Sequence, residues 1–348
     1  MGLRKLIQIL CSVLFLQICA ASLLAEESST ALPTNTALPT KSLRTLRIGH
    51  FPNLTHAVAL EAHARWRNSP ADFEAQLGNN IKVEWYTYNA GPQAMEALLA
   101  GSIDLAYVGP NPAINAFVRS KGEELCILAG ATFGGSALVV QGNAEIRTLN
   151  DFRGRRIGTP HLGNTQDVAA RTWFLDHGFN ISIGGGDVQI IAAENPELLT
   201  LFSSKQLDGA WTVEPWVSRL EREAGAKIFV RDDSSITTVL VASTKLLASN
   251  ADLVSAFLKV HSDLTVWVTE HPNQAKLDIS NELKAETSRA IEPEIVNQAW
   301  SRMKFSKDLT KSDLDLFLSS AKRVGFLKEV AEISKILNCS ESRGEALH

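Results

Sequence analysis

"YVGPNPAINAF" (residues 107–117) decides the fold. A strand-like apolar run ends at Gly109-Pro110-Asn111-Pro112 and passes straight into a helical pattern. Asn111 can cap that helix, and Pro112 suits its first position, where a missing N–H costs nothing. The construction recurs. "HFPNLTHAVAL" (50–60) runs strand, Pro52-Asn53, Thr55, helix, and "YNAGPQAMEAL" (88–98) runs strand, Gly91-Pro92, helix. "GTPHLGNTQDVAAR" (158–171) runs strand, loop, Asn164-Thr165, helix. Such alternation predicts an α/β chain with parallel sheets and crossover helices. In open sheets of this kind ligands sit beyond the carboxyl ends of the strands, where helix N-termini present free N–H groups.

Strands are expected over 46–51, 81–88, 105–108, 125–131, 137–141, 156–159, 188–192, 209–213, 227–230 and 237–243. Helices are expected over 56–67, 92–100, 112–121, 166–177, 196–204 and 216–224, and from 244 onward the pattern is all helical. Two apolar stretches, 125–141 and 237–244, have no helix within them. Read as crossings between two α/β domains, they imply a discontinuous domain, 44–133 plus 244–348, and a continuous one, 134–243, that includes the hinge strands.

Residues 1–25 read as an export leader: Arg4 and Lys5, an apolar run over 6–16, then small residues before Glu26-Glu27. Cleavage after Ala25 or Ala21 meets the small-residue requirement. Lipidation at Cys19 and an uncleaved anchor are the alternatives. Residues 26–43, with "TALPT" twice, are expected to be a solvated tether. Losing the leader removes two of 34 basic residues and none of 38 acidic ones, so the formal charge moves from −4 to −6. That balance disfavours a nucleic-acid partner. Cys126 lies in an apolar run and Cys339 in a polar tail, so two free thiols are expected in preference to a disulfide.

The chain has no Gly-x-Ser-x-Gly, P-loop, Gly-x-Gly-x-x-Gly or His-Glu-x-x-His. His50, His56, His161, His177, His261, His271 and His348 are scattered without helix-ligand spacing, and neither a metal nor another cofactor is expected. The absence of catalytic machinery points to binding, not to an enzyme. "GGSAL" (134–138) offers Gly135 for close backbone approach and Ser136 as a hydroxyl, or else a simple strand bulge. In "LDGAWTVEPWVSRL" (207–220), Trp211 is either a cleft or a core aromatic. Glu214 is paired with Arg219 or Arg171, or it meets a positive part of a ligand.

These segments, with "NAGPQAMEALLAGSIDLAYVGPNPAINA" (89–116) and "GGSALVV" (134–140), resemble the nitrate/sulfonate/taurine-binding family of periplasmic receptors for ABC transporters, which includes thiamine-precursor-binding proteins. They span nearly all of 46–241 in the family's order. The resemblance implies a type II periplasmic-binding fold, with two α/β domains joined by two hinge strands and a cleft that closes on a small solute. It further implies a periplasmic monomer that delivers to an inner-membrane permease and ATPase. Ligand roles carry over to Asn53, Thr55 and His56, to Asn111, to Gly135 and Ser136, to Asn164 and Thr165, and to Trp211 and Glu214. The "EPW" run is closest to members that carry small oxyanions, so the expected solute is a sulfonate such as taurine, or nitrate, bicarbonate or a phosphonate. A pyrimidine stacked on Trp211 and Trp216, or a sensory module without a transporter, is the alternative. An amine-bearing anion is favoured only if Glu214 faces the ligand.

Overall fold

The computed structural model describes residues 42–143, 146–328, 332 and 334–337. The leader, its tether and Cys339 lie outside them. β1 (Arg44–His50) buries Leu46 and Ile48, and a 3-10 turn, Leu54–His56, leads into α1 (Ala57–Asn68). Ser69 ends that helix and Pro70 starts α2 (Pro70–Leu77), whose Phe73 and Leu77 are buried. No helix is expected from sequence between 67 and 81; Pro70 occupies the first-turn position where its ring is tolerated. β2 (Ile81–Thr87), α3 (Gly91–Leu99), β3 (Leu105–Val108) and α4 (Pro110–Arg119) follow. Here Pro110, not Pro112, opens the helix, and Asn111 lies within its first turn without capping it.

β4 (Leu125–Gly134) continues almost directly into β5 (Ser136–Val140), and a 3-10 turn, Leu149–Phe152, precedes β6 (Arg156–Thr159). Then come α5 (Thr165–Asp176), the short ribbon β7 (Ile181–Ser182) and β8 (Gly185–Gly186), β9 (Gln189–Ala192), α6 (Asn195–Ser203), β10 (Gly209–Val213) and α7 (Trp216–Ala224). β11 (Lys227–Asp232) and β12 (Ile236–Ser243) lead to α8 (Thr244–Ser249), α9 (Ala251–Glu270), α10 (Pro272–Thr287) and α11 (Pro293–Trp300). The expected all-helical tail is broken by β13 (Met303–Phe305), which extends the sheet beside β4, before α12 (Lys311–Arg323) and α13 (Ser334–Leu337).

Two main sheets result. One has the order β13-β4-β12-β3-β1-β2, the other β11-β5-β10-β6-β9. β1, β2 and β3 are mutually parallel, as are β6, β9 and β10, so in each sheet these strands end together on one edge. Apolar clusters fill both faces of each sheet: Leu98, Ile114 and Phe117 on one face of the first and Phe73, Leu77 and Phe257 on the other. In the second sheet Phe152 and Phe174 lie on one face and Leu198 and Phe202 on the other.

The chain changes sheet at Gly134-Gly135, both at positive φ (73° and 70°), and returns between β11 and β12. β12 pairs with β3 and β4, so the return falls ahead of residues 237–243, which the sequence reading carried with the second domain. Gly134 N–H donates to the Ser235 carbonyl at 2.9 Å, which sets the two passages side by side.

One expectation is corrected outright. Cys126 is disulfide-bonded and not a free thiol; its partner lies outside the described residues. The physical reason is topological: α13 returns to the core that holds β4, with Ile336 fully buried beside Leu125 and Ile127.

Candidate functional site

The carboxyl ends of the parallel strands of both sheets converge on a cavity of about 30 Å³. Drug-sized ligands occupy pockets of roughly 300–1,000 Å³, so this space suits a solute of a few heavy atoms. From the first sheet come Asn53, Thr55 and His56 after β1, Asn89 and Gly91 after β2, and Gly109 and Pro112 after β3. From the second come Asn164, Thr165 and Gln166 after β6, Asn195 after β9 and Val213 ending β10. The start of a helix accompanies most of these arms: the 3-10 turn, α3, α4, α5 and α6. Unpaired N–H groups at such starts make a positive field without a formal charge.

The opening stretch is built for close approach. A Cβ at Gly109 would overlap Thr165 Oγ1, and one at Gly91 would overlap the Pro112 ring. With neither Cβ present, the Asn111 N–H reaches Thr165 Oγ1 at 3.4 Å, a bond from one sheet's loops to the other's.

Among the described residues, no lysine, arginine, aspartate or glutamate lines the cavity. Four of its five amides share an orientation. Asn53 Oδ1 accepts from Trp216 Nε1 (2.9 Å), Asn164 Oδ1 from the Asp167 N–H (2.8 Å) and Asn195 Oδ1 from Thr212 Oγ1 (2.6 Å), while Gln166 Oε1 accepts from Asn164 Nδ2 (3.2 Å). In these four the side-chain oxygen is engaged and the NH₂ keeps at least one hydrogen to give, whereas Asn89 is turned the other way, its Nδ2 donating to Glu194 Oε2 at 3.2 Å. His56 follows the same rule: its Nδ1 accepts from the Phe51 N–H at 3.3 Å, which puts the proton of the neutral ring on Nε2. Burial, with the neighbouring His50 adding to it, holds the His56 pKa well below the ordinary value, so this ring is a neutral donor. A lining in which four amides and an imidazole have their acceptors occupied and donors free is matched by a ligand that chiefly accepts.

Of the residues expected from sequence, Asn53, Thr55, His56, Asn164 and Thr165 line this cavity. Asn111, Gly135, Ser136, Trp211 and Glu214 do not. Asn111 Nδ2 donates to the Phe317 carbonyl at 3.2 Å. The Gly135 N–H donates to the Arg302 carbonyl (2.8 Å) and its carbonyl accepts from the Glu214 N–H (2.8 Å), so no donor is left for a ligand. Trp211 is a core aromatic near Trp173, and its Nε1 donates to Ser136 Oγ at 3.0 Å.

Glu214 is fully buried and pairs with neither Arg219 nor Arg171. It accepts from the Ser218 N–H and hydroxyl and lies 2.9 Å from Arg302 Nη1, which also holds Glu221 at 2.7 Å. Burial raises its pKa against the pull of Ser218 and Arg302. Arg219 pairs with Glu223 and stacks on Trp216, and Arg171 pairs with Asp167. Sequence reasoning missed Asn89, Gln166 and Asn195. All three sit at strand-to-helix junctions, the same signal that found the others.

The Glu214–Arg302 pair also ties the second sheet's α7 region to the residues just ahead of β13, and Asn53–Trp216 and Asn89–Glu194 bridge the cavity's mouth. A larger hollow of about 470 Å³ lies outside that mouth, sharing Asn89 with the cavity and carrying Arg219, Arg289 and Glu292.

Comparison with known proteins places the chain. The profile of the NMT1-like family matches residues 40–279. A protein of Bacillus subtilis (strain 168), provisionally named for binding aliphatic sulfonates, is 25% identical over 276 residues, covering 78% of this chain and 79% of its own length. Among solved structures, the alkanesulfonate-binding protein of Xanthomonas axonopodis pv. citri bound to MOPS gives a TM-score of 0.68 at 17% identity, over 85% of this chain and 99% of that one. The periplasmic nitrate-binding protein of Synechocystis PCC 6803 gives 0.67 at 13% identity, over 86% and 89%. The fold is that of the periplasmic binding proteins, and these relatives are named as binding proteins. Among the described residues no helix is long and apolar enough to cross a membrane.

Proposed function

The chain belongs to the NMT1-like family, and from that premise we propose that it is the extracytoplasmic receptor of an ABC importer for a small singly charged oxyanion, a sulfonate head or nitrate. The observation that carries this reading is the cavity's set of neutral donors: in Asn53, Asn164, Gln166 and Asn195 the side-chain oxygen is engaged and an N–H is left to give. Such a set stabilises oxygen lone pairs, and hydrogen bonds to a charged group are roughly twice as strong as neutral ones. It favours one charge over two, because the cost of taking an ion from water grows with the square of its charge and no cation is present to offset it. Trp211 is in the core and Glu214 is neutralised by Arg302, so neither an aromatic nor an amine-bearing solute gains support from them.

The working cycle is closure of two lobes, one around each sheet, about the paired passages at Gly134-Gly135 and residues 233–235. Solute that touches both arms stabilises the closed arrangement by its differential affinity for it. The test is calorimetry on the chain lacking residues 1–41, with nitrate, ethanesulfonate, taurine, sulfate and a pyrimidine. Binding of nitrate or a sulfonate is expected, with sulfate weaker and taurine within about threefold of ethanesulfonate, a difference below 1 kcal/mol. Binding of the pyrimidine alone would overturn the reading.

A further inference from the structure

Behind the cavity, beside the last residue of β1, lies a second polar cluster that the solute reading does not use. His50 of β1, His63 of α1 and Glu286 of α10 bring one ligand atom each to within 4.8 Å of one another. His63 Nδ1 lies 2.8 Å from Glu286 Oε1 and 3.0 Å from Glu282 Oε1, and His50 Nε2 lies 3.1 Å from Glu286 Oε1. His50 is completely buried, and the side chains of His63 and Glu286 are 7% and 3% exposed.

Hydrogen bonding leaves this cluster incomplete. Neither ring nitrogen of His50 has a hydrogen-bond partner, and Glu286 Oε2 has none. The 3.1 Å approach of His50 Nε2 to Glu286 is close but off the ring's N–H axis. Buried polar groups are otherwise almost always paired, and each orphan costs free energy. The His50–Glu286 approach has the geometry of two ligands that share an ion, their lone pairs aimed at a third position, while His63 Nδ1 is hydrogen-bonded to Glu286 Oε1 at 2.8 Å and would exchange that bond for the ion. Zinc held at about 2.0–2.1 Å by tetrahedral nitrogen and oxygen ligands separates them by about 3.3 Å; the 3.1 and 2.8 Å spacings to Glu286 reach that with shifts of a few tenths of an ångström, and the His50 and His63 ligand atoms lie within 4.8 Å of each other.

We propose that His50, His63 and Glu286 form a binding site for a zinc-like divalent transition-metal ion. The two imidazoles and the two oxygens of Glu286 supply four donors, a set suited to borderline metals and not to calcium or magnesium. Glu282, clamped by Arg67 at 2.7 and 2.9 Å, also lies 3.0 Å from His63 Nδ1, beside the proposed ion. The ion clips α10 to the strand and helix that carry Asn53, Thr55 and His56. Its spacing in sequence, 13 residues and then 223, hides it from motif reading.

The test loads the chelator-stripped full chain with Zn²⁺ alone. The expected results are one retained equivalent after gel filtration and a raised thermal midpoint. His50→Gln and Glu286→Gln should each weaken binding by more than the roughly 10–100-fold that supporting residues cost, and His177→Gln, at an exposed position, should leave it unchanged. X-ray absorption on the unmutated zinc complex reads the site even if the variants misfold: two imidazole nitrogens with carboxylate oxygens are expected. No retained zinc, a shell with sulfur or without two imidazoles, or binding lost only in His177→Gln would overturn the proposal.

Discussion

The cavity and the seam around it use opposite electrostatics. Inside, every lining side chain is neutral, and attraction comes from amide, imidazole and backbone N–H groups. Around it, formal charges bridge the parts built on the two sheets: Glu214 with Arg302 and Glu221 in the interior, and Arg222 with Glu292 at the surface. The difference teaches that fixed charges hold the arrangement while, on the proposed reading, dipoles would meet the solute. A lysine or arginine in the cavity would hold an anion more strongly and slow its release.

The largest test of this division is Arg302→Ala. It leaves Glu214 buried and unpaired, and removing one partner of such a pair costs about 3–5 kcal/mol. Chemical denaturation should show that loss, whereas Glu214→Gln, which keeps an acceptor for Ser218, should lose less. A loss under about 1 kcal/mol for Arg302→Ala, the size expected of surface pairs, would break the comparison.

Asn164→Ala should act on both regions. It removes the cap of α5 at a cost of about 0.5–2 kcal/mol in stability, and it weakens solute binding by about 1–3 kcal/mol through an unmade buried hydrogen bond. Unchanged affinity with lowered stability would assign Asn164 to scaffold alone. The smallest expected effect is with pH. His56 is held neutral far below its ordinary range, so solute affinity between pH 8 and 6 should change by less than about twofold, or 0.4 kcal/mol. Stability behaves differently: the unfolded ring takes up a proton below about pH 6.5 while the folded one does not, so this contribution is present above that pH and lost as pH falls. An affinity that climbs steeply toward pH 6 would show a charged imidazole at the solute.

Most of the strands were legible because their apolar runs are bounded by glycine, proline and asparagine, and 105–108, 156–159 and 209–213 match the observed strands residue for residue. The junction rule found half of the proposed cavity residues, since a strand end followed by a helix start is a local pattern. What failed was nonlocal. Glu214 found an arginine 88 residues away, where sequence offered two nearer ones. β13 is three residues long and owes its form to the edge of β4. Cys126 looked like a core thiol because burial and bonding leave the same trace in sequence. His63 and Glu286 meet only through the fold.

The side-by-side passages at Gly134 and Ser235 bear on inheritance as well as on mechanics. Everything from β5 to β11 enters and leaves at points one hydrogen bond apart, so it is topologically an insertion into the remaining chain. A recombination that replaced this cassette would need to preserve only the two joints. The solute arms at Asn164, Thr165 and Asn195 would change as a set while the arms at Asn53 and His56 stayed.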